Sequence, residues 1–196
     1  MAAGLGERHL AVCRRFGESV RAANGRWDRR SPCDEWDARG VLEHVIGFHD
    51  VLLLRPLGLK PDRPRDDPQM RWQLTYGALE KAFEPGRRGV ERVVDVPELQ
   101  GHPATRLDAS AVMPNLTRDV LVHTWDVARA VGADDRLDDG WCEHFYAALP
   151  SDPLALSVSG MFDAPVVASD CTDTQSKLLA RLGRNPSWQP PNDQNS

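Results

Sequence analysis

Residues 116–131 read LTRDVLVHTWDVARAV, and within that run Asp119 and His123 stand four positions apart, with Asp126 three further on. An acid and an imidazole at i and i+4 lie on neighbouring turns of a helix and offer an oxygen and a nitrogen side by side. One more imidazole from a facing helix makes three N/O ligands with a fourth position open, the arrangement of catalytic zinc sites. Such a site lowers the pKa of a bound water or holds a thiolate. His44, in the apolar run ARGVLEHVIGFHDVLLL, is the candidate for that third ligand. Taken alone, His44 reads as a hydrogen-bonded histidine of the core, since a buried imidazole needs partners for its nitrogens. Only its combination with the Asp119/His123 pair turns it into a metal ligand, and spacing leaves both readings open.

At about 100° per residue, Leu116, Val120, Val127 and Val131 form an apolar arc with His123 at its edge. Asp119 and Asp126 fall just beyond, so the strip is expected to border the core. Asp126 either orients His123 as a hydrogen-bond acceptor or joins a surface network. His49 lies five residues past His44, about 140° round the helix, and is expected to pack or line a pocket rather than share an ion with it. Cys33 reads as a free structural thiol because no histidine adjoins it in sequence. Trp36 and Trp125 read as core, and His9, His102 and His144 have no partner that spacing reveals.

These residues need elements to position them. Leu5, Leu10, Val12, Phe16, Val20 and Ala23 recur at helical spacing up to an Asn-Gly turn, giving a first helix over 5–23. Asp37 can cap a second helix that stops near Pro56 and Gly58. Met70, Leu74, Ala78, Leu79 and Phe83 mark a third over about 68–83. GVERVVDVPE and HPATRLDASAV, separated by LQG, read as a hairpin. Pro114 and Asn115 are expected to precede the fourth helix and Gly132 to end it. DDGWCEHFYAAL and TQSKLLARLG give two shorter helices before an irregular tail expected to be disordered at its end. Four long helices with a hairpin before the last predict an all-α four-helix bundle, with 1–150 as the bundle and 151–196 as an appendage on the same domain.

Composition narrows the function classes. The chain has 196 residues, 27% charged, and a net charge of -5, with no basic excess to hold phosphates, so nucleic acid is not an expected partner. No apolar run approaches the roughly 20 residues that span a bilayer, and the start lacks an export signal. A cytoplasmic protein with no membrane partner is expected. Cys13, Cys33, Cys142 and Cys171 form no CxxC pair, which supports neither a cysteine zinc site nor a redox motif. Free thiols are expected in a reducing compartment.

RWDRRSPCDEWDARGVLEHVIG, LTRDVLVHTWDVARAVG and LLARLGRNPSW together resemble the DinB/YfiT-like metal-binding family, in the actinobacterial branch related to mycothiol-dependent maleylpyruvate isomerase. The most specific part is PC..W....V..HV.G paired with D...H.WD.ARA. The resemblance implies a DinB-like bundle with a divalent metal, zinc or else nickel, held by His44, Asp119 and His123. It also implies a thiol transferase or isomerase acting on a small molecule with a mycothiol-like thiol, and a homodimer. Two features depart from the family. Asp119 stands where those isomerases carry Glu, one methylene longer, and their further C-terminal domain, with an arginine needed for activity, has no counterpart after residue 150. Neither Arg181 nor Arg184 matches that arginine. A non-catalytic metal- or ligand-binding protein, and a thiol-independent biosynthetic enzyme using metal-bound water, are the competing readings on the same scaffold.

Overall fold

The computed structural model describes residues 4–84, 93–96, 105–158, 162–167 and 172–191. The LQG turn, His102, Cys171 and the last five residues of the tail lie outside them.

Four long helices form the bundle: α1 (Leu5–Ala23), α2 (Ala38–His49), α3 (Pro68–Ala82) and α4 (Ala109–Ala130). Three of the four starts are fixed by an aspartate cap. Asp37 accepts the Gly40 amide hydrogen at 2.7 Å, Asp67 that of Met70 at 2.8 Å and Asp108 that of Ser110 at 2.9 Å, each satisfying an orphan donor of the first turn. α1 ends in left-handed backbone at Asn24 and Gly25, the turn that Asn-Gly announces. α4 packs against α1 and α2, and α3 closes the ring on the same two helices. Phe16, Val45, Leu79, Leu121 and Trp125 meet in the core so formed.

The second helix is not uniform. After His49 the chain passes through a π-helical turn, Asp50–Leu54, and a 3-10 turn, Arg55–Leu57, before Gly58 ends it with a φ of 70°. The Arg55 amide bonds the Asp50 carbonyl, five residues back rather than four. The widened turn leaves Leu53 and Leu54 both buried while Asp50 meets the Arg63 guanidinium through two hydrogen bonds, at 2.9 and 2.6 Å.

The hairpin is a two-stranded antiparallel ladder, β1 (Val93–Val96) and β2 (Thr105–Asp108), with Val93 opposite Asp108. It feeds α4 without a break, which corrects the expected helix start. α4 begins at Ala109, capped by Asp108, and Pro114 lies inside it. A proline at the sixth helical position forfeits one hydrogen bond, to the Ser110 carbonyl, and the two hydrogen bonds that the Ser110 amide and hydroxyl donate to Asp108 anchor the turn regardless.

A second correction concerns burial. Every residue from Leu116 to Ala128 is buried, so α4 is a central helix and its polar strip lies inside rather than at a border. What covers the far side comes from the C-terminal part. This part carries α5 (Asp139–Ala147), the short α6 (Ala155–Val158), which no spacing announced, and α7 (Thr174–Arg181). Arg118 lies over the Phe162 ring, Arg129 donates to the Pro186 carbonyl, and Leu178, Leu179 and Leu182 join the same core as α4. Among the described residues, no helix is long and apolar enough to cross a membrane.

The packing of α1 on α3 depends on a missing side chain. A Cβ on Gly17 would stand 2.8 Å from Trp72 Nε1, and the Trp72 ring is held edge-on against Phe16 at 4.6 Å. Gly17→Ala gains about 1 kcal/mol of helix propensity but overpacks the interface by about 1–3 kcal/mol. A net loss of stability in urea unfolding is therefore expected, and a stabilised variant would contradict the close approach.

Candidate metal centre

His44 comes from the middle of α2, Asp119 and His123 from adjacent turns of α4, and the packing of these two helices brings them together. One potential ligand atom from each lies within 4.8 Å of the others. His123 Nε2 stands 3.4 Å from Asp119 Oδ1, and His44 Nε2 stands 3.6 Å from Asp119 Oδ2. Ligands about 2.0–2.2 Å from one tetrahedral ion are separated by about 3.4 Å, and each imidazole stands about that far from one of the two Asp119 oxygens. These gaps are long for hydrogen bonds, and Asp119 Oδ2 is buried with no hydrogen-bond partner among the described residues. A buried carboxylate oxygen without a donor is costly unless a cation completes it. The residues present therefore fit a divalent metal.

The electrostatics agree. Burial alone raises the Asp119 carboxyl, but the His123 and His44 imidazoles outweigh it and hold that group well below the usual carboxylate range. Burial works against the charged form of His123, yet the Asp119 and Asp126 carboxylates push it up to about 9. In the protein alone, a proton on His123 thus balances Asp119 at neutral pH.

Each imidazole is oriented. His123 Nδ1 donates to Asp126 Oδ2 at 2.9 Å, which turns Nε2 toward Asp119. Asp126 is fully buried, and it faces both His123 and Arg184. Arg184 holds Asp126 in turn, with Nε at 3.1 and 3.2 Å from its two oxygens and Nη1 at 2.8 Å from Asp163. Sequence reasoning missed Arg184, 58 residues away, because nothing in spacing links it to α4. The ring of Trp36 lies 4.3 Å from that of His44 at 31°, and Phe48 covers another side at 4.6 Å. An apolar cleft lined by Phe48, Leu52, Val112 and Leu116 reaches Asp119.

The other histidines separate from this group. His49 does not join His44; it is buried beside His9 and Cys13 on α1, a grouping that sequence spacing across two helices could not reveal. His144 meets Arg8 at the surface. The described cysteines are all free and buried, and burial pushes the Cys33 thiol up to about 11, so it is no thiolate near neutrality. Trp125 is fully buried.

Arg184→Met tests the clamp. Removing one partner of a buried ion pair should cost about 3 kcal/mol in urea unfolding, and freeing Asp126 to turn should weaken metal binding about 10–100-fold in chelator competition. Lost stability with unchanged metal affinity would reduce Arg184 to a structural tie.

A family model described as the mycothiol maleylpyruvate isomerase N-terminal domain matches residues 9–128, which includes His44, Asp119 and His123 and stops short of Arg184. Neither the curated proteins nor the solved structures give a match. With more than half of its length matched, and with the bundle, hairpin and histidine-acid grouping described above, the chain belongs to the mycothiol maleylpyruvate isomerase N-terminal domain family.

Proposed function

We propose that the protein is a divalent-metal enzyme that binds zinc through His44, Asp119 and His123 and activates a low-molecular-weight thiol, of the mycothiol class, for transfer to or isomerisation of a small molecule. The observation that carries the reading is Asp119 Oδ2, buried between two imidazoles beside an apolar cleft and without a hydrogen-bond partner among the described residues. When bound, the ion supplies Lewis acidity that keeps a thiol in its thiolate form near neutral pH.

The chain's own residues do the rest. Asp119 contributes the negative charge that makes a dication acceptable in the core. Asp126 holds the His123 ring so that Nε2, and not Nδ1, faces the site. Trp36 and Phe48 flank His44 and limit its swing. Phe48, Leu52, Val112 and Leu116 give the site an apolar wall beside Asp119, which strengthens the charge interactions there. None of the described cysteines competes as the nucleophile, since all three are buried and their thiols are raised.

Metal titration of the metal-free protein tests the ligand set. His123→Ala should lose tight zinc binding while keeping its helical circular dichroism, because apolar burial rather than the ion holds the bundle. Asp119→Glu should retain or tighten binding by adding reach, whereas Asp119→Asn should weaken it by removing charge. Equal affinities across wild type and both Asp119 variants would exclude Asp119 as a ligand.

The raised His123 pKa gives the sign of the pH dependence. A ligating imidazole must be neutral, so zinc binding at pH 7 has to expel the proton that His123 holds up to about pH 9. About one proton should be released per ion at pH 7, falling toward none above pH 9, with apparent affinity rising over that interval. Calorimetry in buffers of different ionisation enthalpy measures it. Activity is tested by thiol-dependent turnover of the zinc-loaded protein, and zinc binding without a thiol effect on any electrophilic substrate would favour the non-catalytic reading.

A further inference from the structure

Outside the site just described, α1 and α2 bury a second set of metal-binding side chains. His9, Cys13 and His49 are all fully buried, and one potential ligand atom from each lies within 4.8 Å of the others. His9 Nε2 is 2.9 Å from His49 Nε2, and Cys13 Sγ is 3.4 Å from the first and 3.8 Å from the second. In a tetrahedral His₂Cys shell, with metal–nitrogen bonds of about 2.0–2.1 Å and a metal–sulfur bond of about 2.3 Å, the nitrogens stand about 3.3 Å apart and each about 3.6 Å from sulfur. The three observed gaps bracket those values, and a shift of a few tenths of an ångström closes the difference.

Counting protons shows why this group is more than a packed histidine pair. Four contacts run in a chain: Val45 carbonyl to His49 Nδ1 at 2.6 Å, His49 Nε2 to His9 Nε2 at 2.9 Å, His9 Nδ1 to Thr117 Oγ1 at 3.0 Å, and Thr117 Oγ1 to the Met113 carbonyl at 2.7 Å. Both ends are carbonyl oxygens, which only accept. Two neutral imidazoles and one hydroxyl carry one proton each, so one of the four contacts has no hydrogen in it. When Thr117 donates to Met113 and each Nδ1 donates outward, the bare contact is the one between the two Nε2 atoms. Two lone pairs then face each other with a thiol beside them. The Cys13 thiol, 3.4 and 3.8 Å from the two Nε2 atoms, carries the proton that reaches them from the side, and placing a further proton between the two nitrogens would seal a histidinium in the core.

We propose that His9, Cys13 and His49 form a second, fully buried metal site for a thiolate-binding d10 ion, zinc or cuprous copper. On binding, the Cys13 thiol gives its proton to solvent, its thiolate offsets the charge of the ion, and the two Nε2 lone pairs complete three ligands. The Nδ1 contacts to Val45 and Thr117 fix both ring orientations from behind. The site ties α1 to α2 and serves the fold rather than catalysis, since no surface reaches it.

Sulfur ligation makes it testable without reference to the first site. Unfolded, metal-free protein is refolded with cobalt(II), which lets the ion enter as the core forms. A thiolate-to-cobalt charge-transfer band in the near ultraviolet is expected for wild type and for the His44→Ala/His123→Ala double variant, and its loss is expected in Cys13→Ala. Cys13→Ser, closer in shape, should lose the band as well, and circular dichroism confirms that each variant is folded. Elemental analysis of the His44→Ala/His123→Ala double variant, which lacks the first site, grown with zinc or with copper then identifies the native ion, and adding Cys13→Ala to that double variant should leave sub-stoichiometric content of both. A folded wild type without the band, or a band that survives in folded Cys13→Ala, overturns the proposal and leaves a hydrogen-bonded histidine pair.

Discussion

A carboxylate inside a helical core, with one oxygen that has no hydrogen-bond partner among the described residues, sets the terms for the rest of this structure. Asp119 can be buried only because positive charge comes to meet it, as a proton on His123 in the protein alone or as a dication in the reading proposed here. That requirement dictates two helices rather than one. α4 supplies the acid and one imidazole at i and i+4, and α2 must cross it so that His44 faces the other oxygen. The same requirement explains the apolar neighbours, since low polarity around Phe48, Leu52 and Leu116 strengthens every charge interaction at the site.

Holding such a group in place takes more than the two helices that carry it. His123 is steadied by Asp126, Asp126 by Arg184, and Arg184 by Asp163, so the chain of charge runs from α4 into the C-terminal part. Charges alternate in sign along it, and each buried member has a partner on both sides. The matched portion of the family ends before Arg184, so in this chain the clamp is supplied by residues outside that portion. A buried arginine beyond α7 costs free energy in isolation, and its pairing with Asp126 is what makes it tolerable there.

Much of this was legible in the sequence, and the reason differs from residue to residue. The i, i+4 spacing of Asp119 and His123 survives intact because helical geometry alone fixes it. Helix α1 and the caps at Asp37 were equally local. The start of α4 was not, because Pro114 marks a boundary in sequence while the cap lies at Asp108. The helical wheel also misled for α4, since an arc of apolar residues marks the core only when the opposite face meets water. Here that face meets Phe162, Pro186 and Arg184, and every residue over two turns and more is buried. Arg184, and the meeting of His9 and Cys13 with His49, depend on contacts between distant parts of the chain that no periodicity encodes.

Helices α2 and α4 each serve two groups at once, and their spacing shows how. His44 and His49 are five residues apart, about 140° round α2, while Thr117 and Asp119 are two apart, about 200° round α4. One face of the helix pair therefore presents His44 and Asp119, and the other presents His49 toward α1 and Thr117 against His9. The Asp119 charge is felt at His49, where it favours a cation, although burial dominates and leaves that imidazole with a pKa of about 4. A single buried carboxylate thus biases both groups toward positive charge. Sliding α2 along α4 would disturb His44 and His49 together, and the π-helical turn directly after His49 takes up the extra residue outside this shared segment, leaving the register between the two histidines purely α-helical.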